Sequence, residues 1–88
     1  MIIINQDKNN VINYDNVKSL WIEDNVLDET NTTFYINADE DFLGEYETEE
    51  RAKEVLQEIV SKYKTTLYNP KTNETVVNVP KVYEMPTK

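Results

Sequence analysis

Apolar positions along this chain follow two periods, one suited to strands and one to a helix. Ile2, Ile3 and Ile4 are β-branched and run into the polar cluster Asn5-Gln6-Asp7-Lys8-Asn9-Asn10, the pattern of a short strand and a turn. Residues 11–14 predict a second short strand, closed by Asp15-Asn16. Residues 17–23 predict a third, with Leu20 and Ile22 on one face and Ser19 and Trp21 on the other. Residues 24–31 are polar and read as a loop, with Val26 and Leu27 tucked back onto the core. Residues 32–38 alternate cleanly: Phe34, Ile36 and Ala38 on one side, Tyr35 and Asn37 on the other. After the turn Asp39-Glu40-Asp41, residues 42–46 predict a fifth strand. Inside it stands Gly44, the only glycine of the chain, which suggests a bulge or a close backbone approach.

The period then changes. Ala52, Val55, Leu56, Ile59, Val60 and Tyr63 form one apolar stripe at helical spacing and predict a helix over about residues 48–64. Thr48 is a suitable N-cap, Glu49 and Glu50 complement the positive end of the helix dipole, and Lys62 and Lys64 complement its C-terminal end. Beyond it, residues 65–68 and 75–79 flank the turn-forming run Asn69-Pro70-Lys71-Thr72-Asn73 and predict a hairpin. Residues 81–85 predict a last edge strand, with frayed residues after Pro86. A single α+β domain spanning residues 1–88 follows. Its core is an antiparallel β-meander sheet packed on one amphipathic helix, followed by a β-rich C-terminal tail.

Composition narrows the chemistry. The 88 residues contain no cysteine and no histidine, which removes disulfides, thiolate metal sites and the commonest general base. Ser19 and Ser61 therefore lack an imidazole to activate them, and no enzymatic activity is expected. Seventeen acids against nine bases give a formal charge of −8. That sign opposes direct nucleic-acid binding and anionic membranes, and it favours a protein partner with a basic surface. No signal-peptide pattern or transmembrane-length apolar run occurs, so the cytoplasm is the expected location. A chain this small often gains stability by self-association, which makes a homodimer possible.

Four groups of residues are candidates for function. Asp39, Glu40, Asp41, Glu45, Glu47, Glu49 and Glu50 form an acidic run without a base, suited to a basic partner surface. The plain alternative is a solvated turn and a helix start that favours acids anyway. Trp21, Tyr35 and Tyr14 would lie on sheet faces away from the core and serve as apolar anchors, unless those faces are themselves covered. Asp39 and Asp41, with Glu45 nearby, offer oxygen ligands for Mg²⁺ or Ca²⁺, but neither the glycine nor the spaced ligand ladder of a calcium loop is present, and no cofactor is expected. Arg51 at the helix start, with Lys18 or Lys53, could meet an anionic small molecule, although no glycine-rich loop supports it.

The segment Leu43-Gly44-Glu45-Tyr46-Glu47-Thr48-Glu49-Glu50-Arg51-Ala52, with Val55 and Leu56, resembles a group of small phage and prophage proteins of Gram-positive hosts. Asn5-Gln6-Asp7 and the tail Val82-Tyr83-Glu84-Met85-Pro86 are similar to theirs too, whereas the insert over residues 69–73 departs from the pattern. The resemblance implies a setting but no catalytic residue. Small acidic accessory proteins of phages often inhibit a host antiviral defence complex, such as a CRISPR nuclease, by stoichiometric binding. It is also compatible with a sponge that sequesters a nucleotide immune signal, or with a phage structural or assembly protein.

Overall fold

The computed structural model describes residues 1–64 and 81–88. Within them the elements run β1 (Ile2–Ile4), β2 (Val11–Asn13), a 3₁₀ turn (Tyr14–Asn16), β3 (Leu20–Val26), β4 (Thr32–Ala38), β5 (Asp41–Tyr46), α1 (Glu49–Lys64) and β6 (Val82–Glu84). This is the expected α+β fold with one helix packed on an antiparallel meander. The hairpin predicted over residues 65–79 lies outside the described residues.

The meander is β3-β4-β5. Ile22 faces Ile36, and Phe34 faces Tyr46, so the alternation in each strand sends these side chains to one side. That side is covered by α1, which buries Ala52, Val55 and Ile59 against the sheet. Thr48 caps the helix as its sequence suggests: its Oγ1 accepts from the Arg51 amide at 3.1 Å, and its carbonyl accepts from the Ala52 amide.

A bulge adjusts the phase of β5. Asn37 is opposite Phe42 and Ile36 is opposite Gly44, so Leu43 is the extra residue. Phe42 and Glu45 can then both face away from the helix, while Leu43, Gly44 and Tyr46 lie on the core side. Gly44 is required by the Tyr46 ring, which folds over it: a Cβ at Gly44 would stand 2.9 Å from the Tyr46 hydroxyl oxygen. That ring is buried and tethered, because its hydroxyl donates to the Pro86 carbonyl at 2.7 Å. Gly44→Ala is expected to destabilise the fold by about 1–3 kcal/mol through overpacking. Urea unfolding of Gly44→Ala, Tyr46→Phe and the double variant checks it. The double variant should lose less than the sum of the singles, since removing the hydroxyl relieves the clash.

The remaining strands form a second sheet in the order β2-β1-β6. β1 and β2 are antiparallel, as a short connection requires, but β6 returns from far along the chain and runs parallel to β1. The expected single sheet thus divides in two. Ile3, Ile12, Tyr83 and Met85 add their buried side chains to the common core.

Gln6 joins the sheets. Its amide donates to the Leu43 carbonyl, its Oε1 accepts from the Glu45 amide, and its Nε2 donates to the carbonyls of Glu45, Pro86 and Thr87. Arg51 Nε donates to the Lys88 carbonyl. The tail expected to fray is therefore held, because its backbone carbonyls accept from side chains of both sheets and of the helix.

β3 starts and ends later than its apolar pattern suggests. The Asp28 carboxylate accepts from the amides of Thr30 and Asn31, the Thr30 hydroxyl and the Asn31 side-chain amide. This tightens the turn enough for pairing to continue through Val26 opposite Thr32. Val26 and Leu27 sit on the hairpin tip at 69 % and 61 % exposure, not tucked onto the core. Among the described residues no helix is long and apolar enough to cross a membrane.

Candidate functional site

The face of the meander away from α1 gathers aromatic and acidic side chains. Strand alternation places Trp21, Glu23 and Asn25 of β3 there, with Thr33, Tyr35 and Asn37 of β4 and Phe42 and Glu45 of β5. Two cross-strand rows result. One is Trp21–Asn37–Phe42 and the other is Glu23–Tyr35–Glu45, so the Tyr35 ring has a carboxylate on either side.

Each side chain of this face is held. The Tyr35 and Phe42 rings meet edge-on with centroids 5.1 Å apart. Trp21, 41 % exposed, donates from Nε1 to the Asp39 carbonyl at 3.0 Å. Buried Asn37 donates to Glu23 Oε1 at 3.3 Å. Glu45 Oε2 accepts from the Thr33 hydroxyl and from Asn25 Nδ2. Both carboxylates are thereby oriented while keeping acceptor capacity for a further donor. Aromatic rings flanked by fixed carboxylates suit a cationic side chain, through charge and through attraction of the cation to the ring face.

The acidic run of the sequence is divided by the fold. Asp39, Glu40 and Asp41 sit at the β4–β5 turn, whereas Glu47, Glu49 and Glu50 sit at the start of α1. β5 separates them by roughly 17–20 Å, from about 3.3 Å per strand residue. Glu40, Asp41, Glu47 and Glu50 are exposed. Glu49 pairs with Lys53 at 2.9 Å. Asp39 is a turn residue in the left-handed region, φ 53°, and its carboxylate accepts from the Lys18 and Ser19 amides and the Ser19 hydroxyl. Of the run, Glu45 belongs to the aromatic face. Among the described residues no group of three or more acids converges on a cation position.

The candidate anion-binding cations are also apart. Lys18 lies beside the β4–β5 turn, at the end of β5 opposite the helix start. Arg51 and Lys53 are two residues apart on α1 and point to different sides. Arg51 is engaged with Glu54 at 2.9 Å and lines a groove of about 850 Å³ with Gln6, Leu27, Thr33, Glu45 and Tyr46. Tyr14 is not on the sheet face: it packs on Tyr63 of α1, centroids 5.0 Å apart.

Phe42 and Glu23 join the face without having been singled out from the sequence. An unbroken strand would put Phe42 on the side of Gly44 and Tyr46, and the bulge turns it outward. Glu23 becomes significant once register sets it beside Tyr35. No family model, no curated protein and no solved structure matches this chain.

Hydrogen bonds from Asn31 and Thr30 hold the Asp28 carboxyl down to about 2. With the folded value below the unfolded one, this cap stabilises the hairpin tip above about pH 4 and is lost as pH falls through about 2. The Lys18 and Ser19 amides lower Asp39 in the same sense, so the β4–β5 turn at the other end of β4 should also loosen in acid. Carbon-detected NMR titration should give an Asp28 midpoint near 2, with the Thr30 and Asn31 amide signals moving together. A midpoint near 4 would mean that the cap is not formed.

Proposed function

We propose that this chain is a non-catalytic binding protein whose outer sheet face docks on a basic surface of another protein. In the setting implied by the resemblance, a phage or prophage in a Gram-positive host, it acts as a stoichiometric inhibitor of a host antiviral defence complex such as a CRISPR nuclease. The observation that carries the docking reading is the aromatic trio Trp21, Tyr35 and Phe42 with Glu23 and Glu45 fixed beside it. Trp and Tyr dominate interface hot spots, and flanking carboxylates select cationic partners. The charge of −8 adds long-range steering towards such a surface.

The test is capture from host lysate with the wild-type chain and three variants. Trp21→Ala with Tyr35→Ala removes the anchors and is expected to weaken the specific partner roughly 30-fold, a hot-spot loss of about 2 kcal/mol. Glu40→Lys with Asp41→Lys tests charge at the exposed turn; Asp39 is left intact because its carboxylate holds that turn. Gln57→Ala, on the exposed side of α1, is the control. Recovery of the same proteins in the same amounts by all four chains would end the proposal.

A further inference from the structure

We infer that β3 is a strand-addition site: a basic, extended segment of the partner pairs with the edge of β3 away from β4, which no described residue covers, as a fourth strand of the meander. This deepens the docking proposal above and rests on it.

The three-stranded meander has two edges, and they differ. At β5 the outward groups are occupied, because Gln6 bonds the Leu43 carbonyl and both the amide and the carbonyl of Glu45. At β3 nothing among the described residues does the same. The Asp39 amide donates to the Ser19 carbonyl, and the Leu27 amide donates to the Asn31 carbonyl. With the register Leu20↔Ala38 through Val26↔Thr32, these bonds fix which groups point inward. The backbone of Trp21, Glu23 and Asn25 bonds to β4. The amides and carbonyls of Leu20, Ile22, Asp24 and Val26 point away from β4, and among the described residues nothing bonds them. A seven-residue strand edge that no described residue pairs is the template that extended peptides use.

Charge selects the occupant. Glu23 and Asp24 stand side by side at the middle of β3, one on each face of the sheet, and Asp28 and Glu29 follow at the hairpin tip. Two-fold pairing of β3 with a second copy would bring the Glu23 and Asp24 carboxylates of both chains together, which is destabilising. A strand with lysine or arginine at its centre meets Glu23 on the outer face and Asp24 on the helix side. Its flanking apolar residues meet Trp21 at one end and exposed Val26 and Leu27 at the other. The acids thus oppose self-pairing and admit a basic strand.

Amide hydrogen exchange read by NMR on the full chain tests this. The probe is a short synthetic peptide with a central lysine pair flanked by valine and threonine, and its control carries a central glutamate pair. At about ten times its Kd, the lysine peptide should slow exchange at Leu20, Ile22, Asp24 and Val26 roughly tenfold. Trp21, Glu23 and Asn25, already bonded to β4, should change little, and the glutamate peptide should leave all seven unchanged. Asp24→Lys should weaken the lysine peptide roughly three- to tenfold. Asp24→Pro, which removes one outward donor while keeping the bonds to β4, should weaken the lysine peptide as well. Unchanged exchange at the outward amides under saturating lysine peptide overturns the inference. So does concentration-dependent protection of those amides without peptide, which would assign the edge to a second copy. Lysate capture that depends on Trp21 and Tyr35 without protection of the edge would leave the docking proposal standing and remove strand addition. Protection of the edge with capture indifferent to those rings would do the reverse.

Discussion

Leu43→Ala should lower stability by about 2–5 kcal/mol. Leu43 is fully buried although it is the unpaired residue of the β5 bulge. Its side chain belongs to the same core cluster as Ile36, Val55 and Ile59, and the backbone on either side is fixed by pairing to β4 and by the Gln6 bond to its own carbonyl. Neighbours so constrained cannot collapse into the space left, so transfer and cavity terms both count. In a domain of this size the melting temperature falls roughly 4–8 °C per kcal/mol, so a drop of at least about 8 °C is expected by calorimetry. Leu43→Met, which keeps the volume, should cost less than about 1.5 kcal/mol. Equal losses for alanine and methionine would show that packing at the bulge is not what matters.

Gln6→Ala should cost about 2–4 kcal/mol, counting about 1 kcal/mol for each lost side-chain hydrogen bond and more for groups left buried and unpaired. One carboxamide satisfies the amide and carbonyl of Glu45 and the carbonyls of Pro86 and Thr87. Its loss frees the C-terminal segment from the meander and uncovers the β5 edge. Two readouts separate these effects. Chemical denaturation gives the loss of stability. Exchange of the Glu45 and Met85 amides reports whether the tail detaches before global unfolding. Glu in place of Gln should restore the acceptor for the Glu45 amide but no donor for the three carbonyls. It should therefore recover only a minor part of the loss. A variant as stable as wild type would show that the tail is held by Tyr46 and Arg51 without Gln6.

The proposed docking face gains its meaning from the same residues. The bulge that buries Leu43 is what turns Phe42 towards Tyr35, and the Gln6 clasp closes the β5 edge, so that among the described residues β3 is the edge without such a clasp. Stability of the core and accessibility of the surface are therefore set by a few shared contacts.

Much of the fold was legible in the residues because the signals are local. The stripe Ala52-Val55-Leu56-Ile59-Val60-Tyr63 and the Thr48 cap specify α1 within a residue of its observed start, and the alternation over residues 32–38 specifies β4. Gly44 marked the bulge. Period alone places Trp21 and Tyr35 on the non-core face, and they lie there.

What escaped had no local cause. Gln6 is polar within a polar turn, and its importance comes from carbonyls some forty and eighty positions away. Division into two sheets depends on β6 pairing with β1, a contact between opposite ends of the sequence. The split of the acidic run, and the meeting of Glu23, Tyr35 and Glu45, depend on register across three strands. The chain by itself determined which residues become helix or strand and which side of each is apolar, because these follow from side chains three, four or two positions apart. Only the tertiary structure decided which strands are neighbours, which edge stays open and which charges share a face, because those are set by long-range hydrogen bonds and close packing that no single segment encodes.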